Sequence, residues 1–237
     1  MVKSFIGLLM IVAAGVMVLV NGPKATIKAP TQRYHGYELN RKAIQHTKEL
    51  TVLISAEGWG GISRGTGVLI DANHILTCYH VAAARNENFW VYTYPEKEVY
   101  HAKPVYGSSI KDLAIMELDR PILSTPTPVF QDQVYDGEPI TIIGNILGAM
   151  HWFVGYGIIS GGSGPYLYTD GTQTHGDSGG PWINENGEIV ALADWGLETE
   201  NGNDTGIHGG VSAKEIKEFL KSWKEPSILD ILLGGVS

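Results

Sequence analysis

The chain has 237 residues, 43% of them hydrophobic and 18% charged, so it can bury a sizeable core as one compact unit or two fused halves. Its formal net charge is −8 and its basic residues are dispersed, which argues against nucleic acid as a partner. The single cysteine, Cys78, excludes an internal disulfide, and its residue type favours a small buried side chain over a reactive thiol.

The N-terminal residues differ in kind from the rest. The segment "FIGLLMIVAAGVMVLV", residues 5–20, is uncharged, and its length lies between that of a signal-peptide core and that of a membrane span. We expect residues 1–22 to be a signal peptide or a membrane anchor, and the poor cleavage site near Val20 favours the anchor. Both interpretations predict an exported protein, secreted or membrane-anchored, and not a soluble cytoplasmic one. Residues 23–49 are predicted to form a linker and a short helix.

The residues that follow Leu50 form short apolar segments that are broken by Gly, Asn and Pro. The segments are "LTVLISA", "GTGVLIDANHILTCYHV", "NFWVYTY", "DLAIMEL", "EPITIIGN", "HWFVGYGIIS", "YLYTD" and "GEIVALADW". Eight or more such strands without intervening helices predict an all-β sandwich or barrel. One helix is predicted after them in "SAKEIKEFLKSW", where Ser212 can cap the first turn and four apolar residues share a face. We expect this helix to close the domain, with residues 226–237 as a tail.

Two of these segments, and the glycine-rich stretch between the last two, carry polar residues that suit acyl transfer. His80 ends the run "HILTCYH", Asp112 opens "DLAIMEL" and Ser178 lies within "THGDSGGPW". An imidazole can take the serine proton, a carboxylate can orient the imidazole, and backbone N–H groups can hold the oxyanion. The glycines around Ser178 predict a tight turn, in which the amides of Gly176 and Ser178 serve that last purpose. The pattern therefore indicates a serine hydrolase.

The same segments resemble a known family. "LTCYHV", "DLAIMEL" and "GDSGGP" are similar to the histidine, aspartate and serine motifs of chymotrypsin-like serine proteases, and the resemblance covers about residues 50–223. It implies two antiparallel six-stranded barrels in a domain at residues 50–225, one barrel at about 50–123 and the other at about 129–212. It also implies a serine endopeptidase with His80, Asp112 and Ser178 as its triad, which needs no cofactor and no metal.

Within that family the chain looks most like compact, disulfide-free HtrA-type bacterial proteases. "GTGVLI", "GEIVALADWG" and the apolar N-terminal segment carry this likeness. HtrA-type chains have Asn where this chain has Asp177, and they continue into a PDZ domain, which we do not expect here. Trypsin-like digestive enzymes do have that Asp, but it binds a new N-terminus released from an "IVGG"-like motif that this sequence lacks. We therefore expect activity without N-terminal cleavage.

The resemblance also implies a set of substrate-binding residues. They are Thr172 at the pocket floor, His175 and Gly209 at its walls, and Asp194, Trp195 and Gly196 on the strand that pairs with substrate. Because Thr172 is neutral, strong selection for Lys or Arg is not expected, while His175 and His208 would favour an acidic side chain. Asp194 stands where the family often has a serine beside the triad carboxylate. Adjacent carboxylates would raise one carboxyl pKa.

Two other classes of function remain open at this stage. One is a catalytically inactive protease fold that serves as a membrane-tethered binding module, although no triad residue is missing. The other is a metal-dependent hydrolase, for which the sequence offers only Cys78 and His80 as close ligands. The expected partners are protein or peptide substrates and a membrane contacted by the N-terminal segment.

Overall fold

The computed structural model describes residues 41–58, 61–83, 88–95, 98–123, 125–199 and 201–224. The apolar segment at 5–20, the linker that follows it and the tail at 226–237 lie outside these ranges. No helix in the described ranges has the length and apolar character needed to cross a membrane.

Twelve strands and three helices lie within the described ranges. The first barrel is formed by β1 (Thr51–Gly58), β2 (Gly61–Leu69), β3 (His74–Thr77), β4 (Asn88–Thr93), β5 (Val99–Ser108) and β6 (Leu113–Leu118). The second is formed by β7 (Pro139–Ile146), β8 (Met150–Ser163), β9 (Tyr166–Thr169), β10 (Pro181–Ile183), β11 (Ile189–Glu198) and β12 (Asp204–Ser212). The helices are α1 (Arg41–Leu50), α2 (Tyr79–Ala82) and α3 (Ala213–Lys224).

Both sheets close on themselves with antiparallel pairing throughout. The strand order is β1-β2-β3-β6-β5-β4 in the first barrel and β10-β11-β12-β9-β8-β7 in the second. In the first barrel Val52, Ile75 and Ile115 are fully buried, and in the second Ile140 and Trp182 are. β-Branched and aromatic side chains pack well on pleated strands, and closure leaves no strand edge unpaired. The prediction of two antiparallel six-stranded barrels is confirmed.

Helix α3 begins directly after the last strand and packs back on the other barrel. The Ser212 hydroxyl accepts a 3.4 Å hydrogen bond from the Glu215 backbone N–H, as an N-cap does. Ile216 and Phe219 are buried, and the Phe219 ring lies 5.2 Å from that of Tyr106 on β5. The predicted C-terminal helix is therefore present, and its apolar face stabilises the contact between the barrels.

Candidate active site

Three distant parts of the chain meet where the barrels face each other. His80 lies on α2 directly after β3, Asp112 lies in the turn between β5 and β6, and Ser178 lies in the loop between β9 and β10. The barrels are joined at this point by the backbone N–H of Thr66 on β2, which donates to the Ser178 carbonyl at 2.8 Å. His80 and Ser178 together line two neighbouring cavities.

Asp112 binds His80 through both of its carboxylate oxygens. One oxygen lies 2.6 Å from His80 Nδ1, and the other accepts the His80 backbone N–H at 2.9 Å. Asp112 has a positive φ of 48°, which Asp tolerates better than most residues and which allows this double contact. The hydrogen bond that Asp112 accepts from Nδ1 raises the pKa of His80 above its ordinary value, against an opposing effect of burial. Nε2 is the ring nitrogen left to face the cavities.

Asp194 on β11 lies beside Asp112 and hydrogen-bonds with it. Burial first, and then the hydrogen bond and the negative charge of Asp112, raise the pKa of Asp194 to about 7. Burial alone would also raise the pKa of Asp112, but hydrogen bonds from His80 and Asp194 hold it below its ordinary value. The pair is therefore one carboxylate and one carboxyl group, and the protonated Asp194 donates to Asp112.

The side chains around His80 also form a possible metal-binding cluster. Cys78, His80, Asp112 and Asp194 each offer a ligand atom within 4.8 Å of the others. Burial raises the pKa of Cys78 well above its ordinary value, and its thiol donates to the Ala193 carbonyl at 3.2 Å. A metal ion here would have to displace the thiol proton of Cys78 and, at His80 Nδ1, compete with Asp112.

The glycines beside Ser178 are required by backbone geometry. Gly176 has φ 98° and Gly179 has φ 85°, values that favour glycine. A Cβ at Gly176 would lie 2.2 Å from the Asn145 carbonyl oxygen, and one at Gly179 would lie 2.1 Å from that of Thr66. The turn therefore packs against both barrels more closely than any side chain would allow.

The turn also leaves two backbone N–H groups without a hydrogen-bond partner among the described residues. The Leu147 N–H donates to the His175 carbonyl at 2.7 Å, and because a peptide is planar and trans, the Gly176 N–H points away from Leu147. Neither the Gly176 nor the Ser178 N–H makes a hydrogen bond with any residue in the described part of the chain. Two such free donors are what an oxyanion site needs.

Thr66 and Asn145 hold this turn, and the sequence analysis missed both. The Thr66 hydroxyl donates to the Gly176 carbonyl at 2.7 Å. It also accepts hydrogen bonds from the Asn145 backbone N–H and side-chain amide, at 3.2 and 3.1 Å. The side-chain oxygen of Asn145 in turn accepts the backbone N–H of Trp152 at 3.0 Å. Thr66 and Asn145 are both fully buried, so the network fixes Gly176 rigidly.

Asp177 is buried behind the turn with only part of its hydrogen bonding satisfied. Its side chain packs against Gly144, and Oδ2 accepts the Thr174 N–H at 3.0 Å. Oδ1 is buried and has no partner among the described residues. Burial, only partly offset by the Thr174 hydrogen bond, raises the pKa of Asp177 to about 6.

The larger of the two cavities, about 520 Å³, holds four of the six substrate-binding residues expected from the sequence. His175, Asp194, Trp195 and Gly196 line it together with Ser178. Thr172 and Gly209 do not: Thr172 is exposed with its Cβ side toward Gly155, and Gly209 lies beneath the Trp195 ring.

Gln173 and His208 line this cavity as well, although Gln173 was not singled out in the sequence. The Gln173 amide donates to the Trp195 carbonyl at 3.2 Å and accepts the Trp182 indole N–H at 3.1 Å. Thr172 and Gln173 are neighbours in the loop before Ser178, and the loop conformation decides which of the two faces the cavity. No sequence pattern predicts that conformation.

Two barrels with serine, histidine and aspartate brought together between them define a chymotrypsin-like fold. Residues 65–192 match the family described as "Trypsin-like peptidase domain", and this match covers more than half of the chain. The chain therefore belongs to the trypsin-like peptidase family, and its relatives include HtrA-type serine endoproteases.

Two curated relatives illustrate the likeness. The "Probable periplasmic serine endoprotease DegP-like" of Rhizobium meliloti (strain 1021) is 30% identical over 176 residues, which cover 70% of this chain and 33% of the relative. The "Peroxisomal leader peptide-processing protease" of Mus musculus is 27% identical over 142 residues, which cover 54% of this chain and 25% of the relative. The matches thus span a third or less of the length of these relatives.

Solved structures support the fold. The serine endoprotease from Yersinia pestis superposes with a TM-score of 0.67 at 23% identity, over 77% of this chain and 65% of that one. "HtrA-type protease AlgW with tripeptide" superposes with a TM-score of 0.70 at 22% identity, over 78% of this chain and 63% of that one.

Proposed function

We propose that the protein is a serine endopeptidase that hydrolyses peptide bonds through an acyl-enzyme intermediate. The observation that carries the proposal is the 2.6 Å contact between Asp112 and His80 Nδ1, which leaves Nε2 toward the cavities that His80 shares with Ser178. Because Asp112 fixes the tautomer with the proton on Nδ1, neutral His80 presents a lone pair at Nε2.

In this mechanism Ser178 Oγ attacks the substrate carbonyl while His80 Nε2 takes the hydroxyl proton. The carbonyl oxygen becomes an oxyanion that the Gly176 and Ser178 N–H groups bind. His80 then gives the proton to the leaving amine, and the C–N bond breaks to leave an ester on Ser178. Water attacks this ester with His80 again as the base, which releases the acid and restores Ser178.

The serine must turn before it can react. Its hydroxyl donates to the Asp194 backbone carbonyl at 3.3 Å in the free protein. Catalytic hydrogen bonds are often looser in the absence of substrate, and a change of one χ1 rotamer redirects a serine hydroxyl. We infer that bound substrate favours the rotamer in which Oγ meets His80.

Activity should not require a new N-terminus. In the trypsin-like pattern a buried aspartate before the serine is neutralised by a freed amino group, whereas here the side chain of Asp177 is held within the turn itself, where its Oδ2 accepts the Thr174 N–H at 3.0 Å. The Leu147–His175 hydrogen bond supports a formed oxyanion site in the intact chain.

We further propose that the protein is exported, either secreted or held at a membrane by residues 5–20. The Rhizobium meliloti relative is described as a probable periplasmic protease, which supports export. The expected partners are protein or peptide substrates. Recovery of the full chain in a salt-resistant membrane fraction, and of a chain lacking residues 1–22 in the soluble fraction, would support the anchor over the signal peptide.

Labelling with a small fluorophosphonate tests the enzymatic proposal. Intact wild-type protein should gain one adduct at Ser178 by mass spectrometry, whereas Ser178→Ala should gain none and should lose about a million-fold in peptide hydrolysis. His80→Ala should lose a similar amount, and Asp112→Asn less. Ser63→Ala, a change of another exposed serine by a neighbouring cavity, is the matched control.

The alternatives give different outcomes in the same experiment. Folded protein that does not react would point to an inactive binding module. Activity that a chelator abolishes and zinc restores would point to a metal held by the Cys78 cluster, against the arrangement described above. Labelling and hydrolysis that a chelator leaves unchanged support the serine mechanism.

A further inference from the structure

His208 is a buried histidine in the cavity of Ser178 that the proposed mechanism does not use. It lies on β12 with only 5% of its side chain exposed, yet it lines the 520 Å³ cavity. Histidine is seldom buried without a partner for both ring nitrogens, so the partners of this ring show what the cavity can bind.

Both ring nitrogens of His208 face oxygen atoms that can only accept. Nδ1 lies 2.8 Å from the Gly171 backbone carbonyl, and Nε2 lies 3.3 Å from Asp204 Oδ2. The Gly206 backbone N–H first, and then the charge of His208, hold the pKa of Asp204 below its ordinary value, so this group is a carboxylate. Both hydrogen bonds are made only when each nitrogen carries a proton, and that form of the ring is a cation.

The Nε2 edge of the ring is open to the cavity because residue 196 is a glycine. A Cβ at Gly196 would lie 3.1 Å from His208 Cδ2 and 3.6 Å from Nε2. Gly196 is on β11, the strand that also carries Trp195 and Asp194 past Ser178. A substrate side chain that enters beside Ser178 can therefore reach Nε2.

Asp204 is a weakly held partner for this nitrogen. Its side chain is 58% exposed, and the 3.3 Å contact with His208 is longer than a good charge-assisted hydrogen bond. An exposed pair of this kind contributes little, and water can replace Asp204 at small cost. A second carboxylate that arrives from the cavity can thus take its place.

We propose that this cavity selects glutamate as the residue that supplies the attacked carbonyl, with its side-chain carboxylate bound to His208 Nε2 in place of Asp204. The inference rests on the serine endopeptidase proposed above and adds its substrate class. The carboxylate would accept a hydrogen bond from Nε2 at the base of the cavity, while the Gly171 carbonyl holds the far side of the ring in position.

The other charged groups of the cavity do not oppose this choice. Glu198 and Asp204 are exposed at the rim, where solvent screens them, and Asp194 is bonded to Asp112. His175 is a further basic side chain at the rim. A lysine or arginine of the substrate would instead place its positive charge against His208.

Four peptidyl phosphonate probes test the proposal. They share one tripeptide and differ only in the residue next to phosphorus, which is Glu, Gln, Leu or Lys, and the readout is the rate of adduct formation at Ser178. The Glu probe should react about tenfold faster than the Gln probe, since a hydrogen bond to a charged group adds roughly this much, and faster still than the Leu and Lys probes. Equal rates, or a faster Leu or Lys probe, would overturn the proposal.

Variants assign the preference to His208. His208→Gln can still donate to Gly171 but carries no charge, so the Glu probe should slow to the rate of the Gln probe. His46→Gln, the same change at an exposed histidine of α1 away from the cavity, should leave the preference intact. Should His208→Gln fail to fold, Asp204→Asn gives a second test: removal of the competing carboxylate should speed the Glu probe severalfold, and a slower Glu probe would speak against the proposal.

The small fluorophosphonate separates this inference from the proposed function. It has no side chain that reaches His208, so its rate with each protein measures the reactivity of Ser178 apart from the pocket, and each peptidyl phosphonate rate is compared with it. Wild-type protein that reacts with it but shows no preference for Glu refutes the glutamate pocket alone. Wild-type protein that does not react at all refutes the proposed peptidase.

Discussion

Replacing Asp177 with asparagine should stabilise the protein at alkaline pH. Asp177 is 1% exposed, its Oδ1 lacks a partner within the described residues, and burial raises its pKa from 3.8 to about 6. The folded state thus holds this proton more tightly than the unfolded chain. Its contribution to stability is complete below pH 3.8 and is lost as the pH rises through about 6.

The size of the effect follows from the same numbers. Each pKa unit corresponds to about 1.4 kcal/mol, so ionising Asp177 costs the folded state about 3 kcal/mol at pH 8. In asparagine the side-chain oxygen can accept the Thr174 N–H as Oδ2 does now. The amide nitrogen would then occupy the position of Oδ1, which has no partner in the wild-type protein among the described residues. The two side chains therefore differ mainly in charge.

Urea unfolding at pH 4, 6 and 8 measures this difference. Asp177→Asn should exceed wild type in free energy of unfolding by about 3 kcal/mol at pH 8 and by well under 1 kcal/mol at pH 4. Asp136→Asn, at an exposed turn, should match wild type at every pH. Because the turn is held by Thr66 and Asn145, Asp177→Asn should also keep most of its fluorophosphonate labelling.

Two results would refute this reasoning. If Asp177→Asn is no more stable than wild type at pH 8, the carboxylate has a compensating partner when ionised. If the variant loses more than about a hundredfold in activity, roughly 2.7 kcal/mol at the transition state, a charge at residue 177 is essential for the turn.

Two further predictions concern the groups around the turn and the triad. Thr66→Val keeps the side-chain shape but leaves the Gly176 carbonyl and the Asn145 amide without their hydrogen bonds to residue 66. It should therefore lower the free energy of unfolding by about 1–3 kcal/mol and reduce kcat more than it raises KM. Thr172→Val, the same change at an exposed residue, should have neither effect. In Asp194→Ser the serine hydroxyl can still donate to Asp112 but does not ionise near pH 7. The pH profile of kcat/KM should therefore lose one ionisation and keep that of His80. Identical profiles for the variant and the wild type would contradict the role assigned to Asp194.

The sequence was sufficient for the strands and for the three motifs, and the resemblance of those motifs to a known family implied the two barrels. Strands are local structures whose alternating Val, Ile and Tyr residues can be read in a window of a few residues, and GDSGGP predicts a tight turn because glycine alone tolerates its backbone angles. The final helix could likewise be predicted from Ser212 and the spacing of Ile216 and Phe219. These features depend on neighbours in the chain, which the sequence displays directly.

The tertiary structure decided which distant polar groups meet. Thr66 is 79 residues from Asn145 and 110 from Gly176, yet its hydroxyl joins the two. Asp177 Oδ1 has no hydrogen-bond partner among the described residues, and Gln173 lines the cavity where Thr172 was expected. Side chains in an irregular loop follow no regular repeat, so their directions cannot be predicted from the spacing of residues in the sequence. They are fixed by the packing of the two barrels against each other and by the hydrogen bonding of each buried polar group.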